Sequence, residues 1–126
     1  MTCFWDGILQ ALHSSPRLLL GNKYNKEKLI NLLKNKNRRV ENILWNNELI
    51  SNQEKEEHYK AVKDFDIKNI RSGYYCSTCD SFLLLICELF NVNIEHIYMG
   101  IKINYKKIGA NRILKFGSDR GHFWKR

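Results

Sequence analysis

The apolar pattern of this chain changes period once, and that change narrows the folds open to it. Up to Phe90 the apolar residues recur at helical spacing, and from Asn93 onward they alternate. Phe4, Ile8, Ala11 and Leu12 follow the i, i+4, i+7, i+8 spacing of one helical face, so a first helix opens near Cys3 and stops at His13-Ser14-Ser15-Pro16. A second runs from Lys26 to about Asn35 with Asn25 as N-cap, burying Leu29, Ile30, Leu32 and Leu33. Leu18 to Gly21 is the short link between them, and Val40, Ile43, Leu44 and Trp45 read as a short helical or irregular segment. Ser51-Asn52-Gln53-Glu54 has the capping-box form and starts a third helix that reaches Val62 or Lys63. After the break at Ser72-Gly73, polar residues lead into Phe82–Phe90, a helix apolar enough to be mostly buried. Asn93–Met99, Ile101–Tyr105, Arg112–Phe116 and His122–Trp124 then read as strands, with Gly117 to Gly121 as a hairpin loop. Helices first and strands last predict an α+β fold, with N-terminal helices packed on a small, mainly antiparallel C-terminal sheet.

The 126 residues suit a single domain, 1–126, and a 44% hydrophobic content suits a packed core rather than a disordered chain. The single proline and the lack of a Gly/Ser-rich run give no sign of a linker. The longest apolar run, Phe82 to Cys87, falls far short of the roughly 18 residues of a membrane span, and no secretory signal opens the sequence. The expected location is therefore intracellular and cytoplasmic, with no membrane partner. There the four cysteines, Cys3, Cys76, Cys79 and Cys87, are expected as thiols rather than as a disulfide framework. Cys76 and Cys79 form a C-x-x-C pair, but a structural zinc needs four ligands and no second pair follows, so packing and capping explain them better and no metal is expected.

The net charge of +8 raises nucleic acid as a partner, since Lys and Arg neutralise phosphates. The lysines are scattered from Lys23 to Lys125, however, and no nucleic-acid-binding motif accompanies them.

Cys3 admits two readings. It is either a small buried hydrophobe, or a thiol at a helix N-terminus, where free N–H groups and the dipole favour thiolate. A nucleophilic cysteine needs a base. Of the four histidines, His13 ends the first helix, His58 sits on a charged helix face as a surface residue, and His96 shares a strand face with Ile94 and Tyr98 as a core position. His122 follows a glycine-bearing loop and opens the last strand, a place from which a base can reach the rim of a cleft.

Cys3-Phe4-Trp5-Asp6-Gly7-Ile8-Leu9-Gln10-Ala11-Leu12 resembles the block around the nucleophile of the ovarian-tumour (OTU) cysteine proteases. Gly73-Tyr74-Tyr75-Cys76 through Phe90, with Asn93-Ile94, is similar to that family's Gly/aromatic turn, long buried helix and first strand. Gly121-His122-Phe123-Trp124 resembles its terminal Gly-x-His-aromatic strand, and Leu44 to Lys63 resembles the helical insert of compact viral members.

The resemblance implies a papain-like fold and a deubiquitinase that cleaves isopeptide bonds at the C-terminal glycine of ubiquitin or a ubiquitin-like modifier, without a cofactor. It makes Cys3 the nucleophile, His122 the general base, and the backbone N–H groups of Thr2 and Cys3 the oxyanion donors. Trp5 and Trp124, one beside each member of the pair, are the candidate substrate contacts. A viral origin would place the protein in host-cell cytoplasm.

Family members commonly carry Asp or Asn two residues after the histidine, where this chain has Trp124. Others carry an acid just before the cysteine, where only Met1 and Thr2 stand, and Asp6 points the wrong way on the helix. The residue orienting His122 is thus unassigned by sequence. A basic nucleic-acid-binding protein and a non-catalytic ubiquitin-binding module with the same fold are the alternatives.

Overall fold

The computed structural model describes residues 3–14, 24–68 and 76–126. Thr2, Pro16, the link at Leu18–Gly21 and the turn at Ser72–Tyr75 lie outside the described residues. Among the described residues four helices and six strands follow one another as α1 (Cys3–Ser14), α2 (Lys26–Asn35), β1 (Ile43–Trp45), β2 (Glu48–Leu49), α3 (Asn52–Asp64), α4 (Cys76–Phe90), β3 (Asn93–Tyr98), β4 (Ile101–Lys107), β5 (Ile113–Ser118) and β6 (Phe123–Lys125). The class is α+β. The helix starts follow local chemistry: Asn25 accepts from the Lys28 N–H at 2.8 Å, and Ser51 with Glu54 forms the reciprocal capping box.

The strands form one mixed sheet in the order β2-β1-β4-β3-β5-β6. Each neighbouring pair is antiparallel except β3–β5, which is parallel. A hairpin, β1–β2, occupies the segment expected to be helical or irregular. Its two-residue turn, Asn46-Asn47, has φ of 51° and 68°, the left-handed pair that matches the twist of flanking strands and that asparagine tolerates. The parallel pair arises because the chain leaving β4 crosses the end of β3. Asn93 fastens that crossover: its Oδ1 accepts from Lys107 N at 2.8 Å, its Nδ2 donates to Ala110 O, and its backbone N–H donates to Arg112 O.

One face of the sheet carries α1, against β5 and β6, and α4, against β1, β3 and β4; α2 and α3 pack outside them. From Ser81 through Glu88 every residue of α4 is buried, which is why this helix is apolar all round. No described helix is long and apolar enough to cross a membrane. Tyr105, wholly buried on β4, donates its hydroxyl to Asp80 Oδ1 at 2.5 Å and so pins the start of α4 to the sheet.

The end of α4 is held by Glu88, a buried carboxylate. It accepts from Arg38 at 2.7 Å, from the Glu41 backbone N–H at 2.9 Å and from Lys107 Nζ at 3.0 Å. Burial pushes its pKa up, but the Glu41 N–H, Lys107 and Arg38 outweigh that and hold it below the ordinary carboxylate value. A depressed folded-state pKa contributes stability that is present above the unfolded value and is lost as pH falls through the folded one. Glu88→Ala leaves the Glu41 N–H without its acceptor and Lys107 with the Glu41 carbonyl but no counter-charge, so an expected loss of about 2–4 kcal/mol should appear in urea unfolding at neutral pH. The gap to the wild type should narrow on acidification.

Candidate active site

What places Cys3 is the packing of α1 on the last strand. Phe4 meets Phe123 at a ring separation of 4.8 Å, and Phe123 stacks in turn on Phe116 at 5.0 Å. Gly7 permits the close approach: a Cβ there would stand 3.0 Å from the Phe123 ring and 3.6 Å from the Lys125 backbone nitrogen. With the helix lying so near β6, its first residue reaches the loop that precedes the strand. The Cys3 sulfur, half-buried, lies 4.0 Å from the carbonyl oxygen of Gly121, the residue before His122. As the first residue of α1, Cys3 also has a backbone N–H that needs an acceptor outside the helix ladder.

The loop from Asp119 to His122 is tightly closed. Asp119 N donates to His122 O at 3.0 Å, continuing the β5–β6 pairing. The Asp119 carboxylate accepts from Gly121 N at 2.9 Å and from His122 N at 2.8 Å, and the same Oδ1 stands 3.4 Å from His122 Nδ1. The Gly121 N–H above all, then that of His122, holds the Asp119 carboxyl below its usual range. The His122 side chain is 70% exposed, open to a substrate from outside. Just inside the loop, buried Ser118 is anchored by His96, with Oγ and Nε2 2.6 Å apart. His96 is 2% exposed, its Nδ1 has no hydrogen-bond partner among the described residues, and burial pushes its pKa down to about 4. It is a neutral core histidine.

The structure separates the two tryptophans chosen from the sequence. Trp5 is 4% exposed and packs between Phe4, Phe65 and Phe82, so it presents no surface to a substrate and belongs to the core. Trp124 is 45% exposed and lies over Gly117 on the open face of the sheet, so close that a Cβ on Gly117 would fall 2.6 Å from the indole nitrogen. It walls a shallow groove of about 320 Å³ together with Ile97, Met99, Asp119 and Arg126. Oxyanion donation from Thr2 lies outside the described residues.

The other candidates stand apart from this corner. His58, read as a surface residue, is half-buried, 2.8 Å from Ser81 Oγ and beside the Trp45 ring; burial lowers its pKa. Cys79 is buried and Cys87 wholly so, and burial pushes the Cys87 thiol up, away from reactivity. Among the described residues no group of three or more His, Cys, Asp or Glu side chains could hold a metal ion.

Asp119 was not selected by sequence reasoning. Its signal was an acid three residues ahead of a histidine in a glycine-bearing loop, where Asp side chains commonly accept from backbone N–H groups further along. Comparison with protein-family models, curated proteins and solved structures found no match.

Proposed function

We propose that this chain is an OTU-like cysteine isopeptidase that removes ubiquitin or a ubiquitin-like modifier from lysine side chains, with Cys3 as nucleophile and His122 as general base. The observation that carries the reading is the meeting of the first residue of α1 with the loop before β6: the two residues are 119 positions apart in sequence, yet the Cys3 sulfur rests against the backbone neighbour of His122.

In the reaction, His122 takes the thiol proton as the Cys3 sulfur attacks the carbonyl carbon of the modifier's terminal glycine. Collapse of the tetrahedral intermediate breaks the C–N bond, and the imidazolium returns the proton to the departing lysine amine. Water, deprotonated by His122, then opens the thioester and frees the thiol. The Cys3 backbone N–H, at the positive end of α1, is a donor for the oxyanion. Protein groups and water balance every step. The Trp124 groove adjoins Asp119 and offers the incoming chain an apolar wall.

A ubiquitin probe with an electrophile at its C-terminus tests this directly. Wild type is expected to form one covalent adduct, mapped to Cys3, and Cys3→Ala to form none. An adduct on Cys76, Cys79 or Cys87 instead would overturn the assignment.

A second reading draws on the sheet face away from the helices. Strand alternation and register place Lys102, Lys106 and Lys115 there, each exposed; Trp124 shares the face at its β6 edge, next to the strand that carries Lys115 and three strands from β4. Exposed lysines and an exposed aromatic on one sheet face are elements of a surface for single-stranded nucleic acid. The lysine array is interrupted by Glu95, whose carboxylate lies 3.8 Å from Lys102. Tight oligonucleotide binding that falls steeply with salt and ignores Cys3→Ala would favour this reading over the first.

A further inference from the structure

We infer that Asp119 is the positioning residue of His122, holding the imidazole from the loop side because the strand position two residues later is occupied by Trp124. The inference rests on the reading of His122 as the base toward Cys3. Three N–H-bearing groups converge on one carboxylate oxygen: Gly121 N at 2.9 Å, His122 N at 2.8 Å and the His122 ring Nδ1 at 3.4 Å. Among the described residues this carboxylate is the ring's only polar contact. A side chain 70% exposed has little packing to select its rotamer, so a fixed acceptor beside Nδ1 is what can restrain it.

The chemistry needs this restraint. A neutral histidine acts as a base only through the nitrogen that carries no proton, and which one that is depends on the partner of the other. Asp119 beside Nδ1 keeps the proton there and leaves the Nε2 lone pair free for the thiol. Once Nε2 is protonated, the carboxylate faces the resulting cation and stabilises it. The two backbone bonds keep Asp119 ionised and fix its direction, so the acceptor is set before substrate arrives. Behind it, the buried Ser118–His96 contact anchors the preceding residue to β3. The acid, the base and the turn between them thus form one four-residue unit. Trp124, where the resembled family usually has its acid, is instead spread over Gly117 on the outer face.

The test combines kinetics with a readout independent of turnover. Asp119→Asn keeps an oxygen for the two backbone N–H groups and removes the charge. With a fluorogenic ubiquitin C-terminal amide it is expected to lower kcat by about 10–100-fold, part of the 10²–10⁴ typical of acid–base catalysis, with KM within about twofold. Asp119→Ala should fall further, because the loop loses its acceptor, and Asp119→Asn should melt at the wild-type temperature. Nitrogen-15 NMR of the His122 ring should show the Nδ1–H tautomer in the neutral wild type and its loss in Asp119→Ala. Wild-type kcat in Asp119→Ala, or an Nε2–H tautomer in the unmodified protein, would overturn the positioning role. Should Asp119→Ala match wild type while Cys3→Ala is dead, Asp119 fails and the Cys3–His122 reading stands. Full turnover in Cys3→Ala would sink that reading itself, whatever the ring tautomer.

Discussion

His122→Ala is expected to fold as the wild type does and to lose about 10²–10⁴-fold in kcat/KM for a ubiquitin amide, or about 3–5.5 kcal/mol of transition-state stabilisation. The two halves of this result have separate causes. An imidazole 70% exposed contributes little packing, and surface substitutions of that kind usually stay within about 0.5 kcal/mol in stability. The loop also survives, since the bonds that close it use the backbone N and O of residue 122, both retained in alanine. Turnover suffers because no other histidine on the described surface near Cys3 can replace it. His96 is sealed in the core with its pKa pushed down to about 4, and His58 is bound to Ser81 beside Trp45. Added free imidazole should restore part of the rate by filling the space left by the ring. Circular dichroism melting curves paired with steady-state kinetics would check both halves. Wild-type kcat/KM in a folded His122→Ala would show that the base is another group.

How far such a site is visible before a structure depends on which interactions are local. Asn25 and Ser51–Glu54 announce their helices because a cap is a contact between residues three apart, complete within the sequence window that shows it. The alternation in β3 to β5 is legible for the same reason: one face meets the helices, so a period of two is imposed residue by residue. β1 was hidden by its length. Three residues cannot display alternation, and the informative signal was the turn, Asn46-Asn47, whose left-handed φ values asparagine accepts. The parallel β3–β5 pair was hidden by its connection, because the residues between β4 and β5 look like a hairpin loop. Only the side chain of Asn93, reaching both Lys107 N and Ala110 O, converts that loop into a crossover.

In the candidate site, Cys3 and His122 stood out in the sequence as residue types, whereas the acid proposed to orient His122 did not. Asp119 depends on a turn that brings residues 119 and 122 together, and a pattern search built around positions after the histidine passes over it.

Trp5→Ala and Trp124→Ala offer the sharpest separation of fold from function, since both tryptophans looked like substrate contacts in the sequence. Trp5 is packed edge-on to Phe4 at 5.0 Å and to Phe82 at 4.8 Å, joining α1 to the buried helix α4. Truncating such a ring costs about 3–5 kcal/mol, through lost burial and the cavity left behind. That is a large share of the roughly 5–15 kcal/mol that holds a domain together, so urea unfolding should shift strongly toward low denaturant. Because α1 also carries Cys3, turnover should fall with the folded fraction, while the KM of the molecules that remain folded stays near the wild-type value. Trp124 lies on the opposite face, over Gly117, with water on its outer side. Its removal should cost about 1 kcal/mol or less in stability and instead raise KM for a ubiquitin substrate by several-fold, as one wall of the groove beside Asp119 is lost. Denaturation and kinetics measured on both variants would decide. If Trp5→Ala raised KM at unchanged stability, α1 would have to present its aromatic face outward, and the packing that brings Cys3 to the His122 loop would fail with it.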